Sequence, residues 1–186
     1  INEALFGKNS KVSVNSLIVL SSVYIQLGKY DQAYTYLQRS KKRILEVYDE
    51  NHPMLISYYS DMATILVFRG EHNEALDHQK KALELSFKND IHVLRSYGFL
   101  VNTLLDIERY DEALDIADEG IEFYIQLKHT KGTIAEEFKA KLFFQKGLIY
   151  TELKQFDAAL INLNKAVTVY KSIYDTQIHA NIASSY

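Results

Sequence analysis

The chain has no cysteine and no tryptophan, one proline and seven glycines in 186 residues. Without cysteine there is neither a disulfide framework nor a thiolate zinc site, and a cytoplasmic setting is the expectation. So little proline and glycine leaves no room for linkers, long loops or many β-turns, and an all-helical chain is the simplest consequence. No run approaches the roughly 18 to 20 apolar residues of a membrane helix, and no signal-peptide pattern opens the chain. A charge excess of one sign is also missing. The net charge is −3 with acids and bases interleaved, so no basic stripe is available for a phosphate backbone and direct nucleic-acid binding is not expected.

Motifs that carry chemistry are absent as well. The histidines stand at 52, 72, 78, 92, 129 and 179 and form no close ligand pair; His72 and His78 fall on different sides of a helix. There is no glycine-rich phosphate loop and no Gly-x-Ser-x-Gly element. The acidic pairs Asp111-Glu112 and Glu136-Glu137 read as solvated charges near helix starts, where they complement the helix dipole. No enzyme activity, cofactor or metal is therefore expected.

What is present is a pattern written four times. It occurs as Gly28-Lys29-Tyr30-Asp31-Gln32-Ala33, Gly70-Glu71-His72-Asn73-Glu74-Ala75, Glu108-Arg109-Tyr110-Asp111-Glu112-Ala113 and Lys154-Gln155-Phe156-Asp157-Ala158-Ala159. The alanines stand 42, 38 and 46 residues apart. A period of that size marks a helical solenoid, whose product is a binding surface.

Each copy reads as a first helix ending at the junction and a second beginning there. Leu17, Leu20, Tyr24 and Leu27 are spaced to form one face of the first helix, and Ala33, Tyr36, Leu37, Ser40 and Ile44 one face of the second. Later first helices carry Tyr59, Met62, Ala63 and Leu66; Tyr97, Leu100, Val101 and Leu104; and Phe143, Gly147 and Tyr150. Their second helices carry Ala75, Gln79 and Ala82; Ala113, Ala117 and Gly120; and Ala159, Leu163 and Ala166. Small residues recur where the helices must cross most closely. Val93–Asp106 and Phe138–Leu153 are expected as first helices, with a break at His129-Thr130-Lys131-Gly132. Asn51-His52-Pro53 reads as a helix start, with Asn51 as cap and Pro53 in the first turn.

These residues resemble the tetratricopeptide repeat family over about 12–186, with Tyr59, Met62-Ala63, Leu66, Gly70, Ala75 and Ala82 matching its pattern well, as do Gly147, Tyr150, Phe156, Ala159 and Ala166. The departures are a long period, the missing repeat-ending Pro in most copies, and Glu108 or Lys154 at the turn glycine. The long period and the Asn-His-Pro element are similar to repeats of kinesin light chains and their bacterial look-alikes; the fourth copy is similar to repeats of peptide-pheromone receptors. The resemblance implies an all-α, right-handed superhelical solenoid of antiparallel helix pairs. One array over 1–186 is expected: the end of a preceding helix at 1–11, repeats at about 14–52, 53–90, 91–130 and 133–174, and the first helix of a truncated repeat at 176–186. Ile1 in place of an initiator Met, and an apolar face at Ile178, Ile182 and Tyr186, suggest part of a longer protein; that face is a candidate for self-association into a homo-oligomer or scaffold. Sixteen Lys against five Arg hint at a bacterial source.

In such a superhelix the first helices line the concave face. Residues on their non-core side are Asn15, Ile18, Val19 and Ser22; Ser57, Ser60, Asp61, Thr64 and Phe68; Arg95, Gly98, Phe99 and Asn102; and Lys141, Phe144, Gln145 and Leu148. Asn15, Ser22, Asp61, Thr64, Arg95, Phe99, Asn102, Lys141, Phe144 and Gln145 are the candidate contacts for a protein segment or short peptide. Asn102 stands out, because an Asn side chain can both accept from a peptide N–H and donate to a peptide C=O, a use the resemblance to peptide receptors implies. The family's clamp for a C-terminal carboxylate is not carried over: Ile18 and Ser22 replace its first Lys and Asn, Asp61 its second Asn, and Phe99 a base, with only Arg95 kept. The functional expectation is a non-catalytic binding module of a bacterial regulator, or, more narrowly, the ligand-binding part of a peptide-pheromone-responsive transcriptional regulator or phosphatase.

Overall fold

A computed structural model describes residues 11–87, 90–127 and 132–183, with side chains over 14–87, 92–127 and 132–175. Eight helices occur among the described residues: α1 (Lys11–Gln26), α2 (Tyr30–Val47), α3 (Met54–Phe68), α4 (His72–Ser86), α5 (Asp90–Asp106), α6 (Tyr110–Gln126), α7 (Thr133–Glu152) and α8 (Phe156–Ala183). The chain divides into two compact units, Ile1–Lys88 and Asn89–Tyr186. Each holds two antiparallel hairpins, α1/α2 with α3/α4 and α5/α6 with α7/α8. No described helix is long and apolar enough to cross a membrane.

One turn geometry closes all four hairpins. At the first, the Gly28 N–H donates to the Ile25 carbonyl at 2.9 Å and the Lys29 N–H to the Tyr24 carbonyl at 2.8 Å. This is a Schellman ending, which satisfies the last carbonyls of the helix and places its C′ residue in the left-handed region. Gly28 and Gly70 there have φ of 68° and 77°, while Glu108 and Lys154 have 61° and 58°. The junction pattern is thus a turn signal whose geometry survives the loss of glycine.

The small residues sit at the helix crossings, as the repeat predicts. Ala33, Ala75, Ala82, Ala113 and Ala117 are fully buried. A Cβ on Gly120 of α6 would lie 2.9 Å from Leu142 Cδ1 and 3.0 Å from the Tyr97 side chain, so α5, α6 and α7 approach one another through the missing methyl. On α7, a Cβ at Gly147 would lie 2.6 Å from Leu163 of α8.

In each unit the first helices pack closely, α1 with α3 and α5 with α7, whereas among the described residues the backbones of α2 and α4, and of α6 and α8, stay apart. Each unit therefore has a close-packed first-helix side and a splayed second-helix side. In the second unit the splay leaves a groove of about 650 Å³ lined by Ile121, Ile125, Phe143, Ile161, Lys165 and Val169 among others.

Three local expectations are corrected. The buried stripe of α1 runs through Val14, Leu17, Ile18 and Ser21, and Leu20 and Leu27 are 40% and 60% exposed. That helix is apolar on most sides, so its sequence does not single out one face. Asn51 does not cap α3; its N–H donates to Asp49, and it is His52 Nδ1 that accepts the Met54 N–H at 3.3 Å while the ring stacks on Tyr48. Finally, α7 begins at Thr133, ahead of the expected Phe138, and α8 is continuous through Ala183 with no interruption near 175. The preceding helix end at 1–10, the break at 129–131 and Tyr186 lie outside the described residues, as do the side chains of Ile178 and Ile182.

Candidate partner-binding faces

In the first unit the candidates lie on α1 and α3. Asn15, Val19, Ser57, Thr64 and Phe68 are exposed, while Ile18 and Ser60 are buried and so do not project from the face. Ser22, Asp61 and Thr64 are hydrogen-bonded here, whereas the buried Ser60 Oγ has no hydrogen-bond partner among the described residues. Ser22 Oγ donates to Asp61 Oδ2 at 2.8 Å, Ser21 Oγ donates to the Ile18 carbonyl at 2.6 Å, and Thr64 Oγ1 donates to the Ser60 carbonyl at 3.2 Å. Burial pushes the Asp61 carboxyl above its ordinary value, with the serine hydrogen bonds opposing the shift. Phe68 is stacked on Tyr30, with ring centroids 3.8 Å apart.

The second unit presents a different chemistry. Arg95, Gly98, Phe99 and Asn102 come from α5, and Lys141, Phe144, Gln145 and Leu148 from α7. Gln145 does not face solvent as expected: it is 2% exposed, at the seam of the two helices. Its Nε2 donates to the Gly98 carbonyl at 2.7 Å and to Asn102 Oδ1 at 2.5 Å. A carbonyl can only accept, so the Gln145 amide nitrogen must point to Gly98, and Asn102 must then turn its oxygen inward and its NH₂ outward. Gly98 lies below the stem of Lys141, whose Cδ and Cε would be 3.9 Å from a Cβ at that position.

Around this bridge stand two aromatics and two cations. Phe99 and Phe144 are 36% and 45% exposed. Lys141 Nζ lies 5.3 Å from the centre of the Phe99 ring and Arg95 Cζ 5.8 Å from that of Phe138. Burial, then repulsion by Arg95, lowers the Lys141 ammonium below its ordinary value. Burial and the same guanidinium lower His92.

The sequence placed Arg95, Phe99, Asn102, Lys141 and Phe144 on these helices but missed the amide bridge that ties them together. Its signal was available in part, since Gln145 and Gly98 share the first-helix face. The register of α5 against α7, however, is a tertiary fact. Among the described residues no group of three or more His, Asp or Glu is placed to hold a metal ion.

Models of the tetratricopeptide repeat match residues 13–88 and 140–172. No curated protein sequence matches. Among solved structures, the chain is similar to BtubC from P. vanneervenii, with 16% identity, a TM-score of 0.71, and coverage of 87% of this chain and 65% of that one. Aspartyl phosphate phosphatase F from Bacillus subtilis aligns with 13% identity and a TM-score of 0.68 over 84% of this chain and 39% of that one. Putative kinesin light chain repeats of Podosopora anserina align with 14% identity and a TM-score of 0.66 over 92% and 81%. The chain thus spans less than two thirds of the first two, and at these identities the likeness is one of fold. Matched by its models in both units, and built of hairpins that close with one recurring turn, the chain belongs to the tetratricopeptide repeat family, whose repeats serve as protein-interaction modules.

Proposed function

We propose that this protein is a non-catalytic module that holds an extended peptide or protein segment against its first helices, as the interaction or sensing part of a larger bacterial regulatory protein. The observation that carries this reading is the Asn102–Gln145–Gly98 bridge. It holds the Asn102 amide on a face that also exposes the aromatics Phe99 and Phe144. Rigid aromatic anchors beside a pre-oriented polar group are what peptide recognition uses, since little ordering entropy is lost on binding.

A narrower reading, the ligand-binding part of a peptide-responsive regulator or phosphatase, draws support from the fold likeness to aspartyl phosphate phosphatase F.

The test is a selection of random dodecapeptides displayed on phage against the immobilised protein, followed by fluorescence anisotropy of resynthesised binders. With Asn102→Ala and Phe99→Ala combined, affinity should fall by about tenfold or more with far-UV circular dichroism unchanged. Unchanged affinity in that double variant removes the α5–α7 face as the site.

A further inference from the structure

We infer that the groove on the second-helix side of the second unit receives an amphipathic helix of a partner protein, its aliphatic stripe turned inward and an acidic side chain at the α8 edge. This site is separate from the α5–α7 face and takes a ligand of different shape.

The lining follows helical spacing. Ile121 and Ile125 are a turn apart on α6, Ile161, Lys165 and Val169 keep that step on α8, and Phe143 of α7 lies on the floor between them. Rows at i and i+4 run along their own helices, so the trough follows the helix axes and its walls carry ridges with which another helix interlocks. Along α8 it extends from Ile161 to Val169, about 12 Å at 1.5 Å per residue. Anchors at i, i+4 and i+7 of a ligand helix span about 10.5 Å and match that length.

Hydrogen-bonding capacity decides the form of the ligand. An extended segment brings a donor and an acceptor with every residue and needs partners for those it buries. The groove supplies few. The Tyr124 hydroxyl donates to Glu136 and accepts from Lys139 Nζ at 3.4 Å, and the Thr168 hydroxyl donates to the Asn164 carbonyl at 2.8 Å. What remains is the Asn164 side-chain amide, the spare lone pairs of the two hydroxyls and the Lys165 ammonium, within an otherwise apolar lining. An extended chain would leave backbone groups unpaired here. A helix closes its own and brings only side chains to the walls.

Charge selects among helices. Of the two lysines that line the groove, Lys139 is paired with Glu136 at 2.5 Å. Lys165 has no carboxylate within 4.0 Å among the described residues, and its ammonium lies 5.4 Å from the centre of the Phe143 ring. The acids nearby are otherwise occupied or turned elsewhere: Glu122 accepts from the Gln126 amide at 3.2 Å, and Glu137 acts on Tyr170. The uncompensated charge of the lining is therefore positive, and a glutamate or aspartate at the edge of the ligand's aliphatic stripe complements it. A second copy of this chain does not: the exposed Val19 and Val23 of α1 form an aliphatic stripe, but α1 contains no acid.

The test pans the whole 186-residue protein against a phage-displayed library of alanine-based helices of about 16 residues, with aliphatic residues at i, i+4 and i+7 and random flanking positions. Enriched clones should carry an acid beside the stripe. Resynthesised and followed by fluorescence anisotropy, they should lose about tenfold or more in affinity for Ile125→Asp and for Ile161→Asp. These side chains are 66% and 55% exposed, so far-UV circular dichroism should not change. Lys165→Glu should weaken the acidic clones about tenfold and favour the same peptides with that acid changed to Lys, a charge swap that a structural role of Lys165 would not produce. A proline at the peptide's centre should abolish binding. Asn102→Ala with Phe99→Ala should leave these affinities unchanged, which separates this site from the first-helix face. Recovery of no binder, affinity that survives both aspartate variants, or indifference to Lys165→Glu would overturn the proposal. So would a dimer in sedimentation velocity that Ile161→Asp dissolves, since the groove would then belong to a second copy.

Discussion

Glu108 and Lys154 do a job for which the other two hairpins use glycine. Both hold positive φ, near 61° and 58°, inside an otherwise intact Schellman turn. The left-handed region costs an L-residue about 1–2 kcal/mol, part of which returns as reduced freedom in the unfolded chain. Glu108→Gly and Lys154→Gly should each stabilise the protein by about 0.5–1 kcal/mol, read as a higher urea midpoint. Gly28→Ala should do the reverse by a similar amount, because nothing lies within 4 Å of its added methyl and only backbone strain can act. Asp61 supplies a pH test. Burial raises its carboxyl, so the folded state binds that proton more tightly than the unfolded chain does. Its ionisation therefore costs stability at neutral pH, and the cost fades as pH falls through the raised value towards the ordinary carboxylate range. Asp61→Asn keeps an oxygen for Ser22 and should raise the urea midpoint near pH 7. The gain should shrink towards about pH 4, and a gain independent of pH would contradict the assignment.

Among the helices, closeness of approach is set by residues without side chains. Gly147→Ala and Gly120→Ala place a methyl at 2.6 Å and 2.9 Å from leucine side chains at crossings, and each should lower stability by about 1–2 kcal/mol despite the better helix propensity of alanine. Gly98→Ala meets nothing nearer than 3.8 Å and should be neutral or mildly stabilising in the same urea titration. These crossings were legible in the sequence because Ala33, Ala75, Ala113 and Ala159 repeat the same requirement at each hairpin. The buried stripe of α1 was harder to read: Leu20 and Leu27 sit beside Leu17 and Ile18 on a helix with apolar residues on most sides, and only packing chooses among them. The capping role of His52 was hidden for a related reason. It depends on the ring swinging onto Tyr48, which no residue spacing announces.

For the molecule as a whole, the repeat made the fold readable, and the same repetition makes the binding chemistry hard to read. Four copies agree on where a hairpin turns and where it must be thin, so errors in one are corrected by the others. The faces are where the copies differ, with Ser22–Asp61 on one unit and Asn102–Gln145 on the other. Their character follows from which side chains of two neighbouring first helices come into register. The repeat pattern puts Gln145 on the solvent side of its helix, while the structure seats it at the seam, bonded to Asn102. The splayed second-helix side offers a rival surface in the groove lined by Ile121, Ile125, Phe143 and Ile161. The decisive measurement is paramagnetic relaxation enhancement from a spin label on a phage-selected peptide bound to the isotope-labelled protein. The account predicts selective loss of amide signals along Arg95–Asn102 and Lys141–Leu148. Attenuation concentrated instead around Ile121–Ile125 and Ile161–Val169 would contradict it.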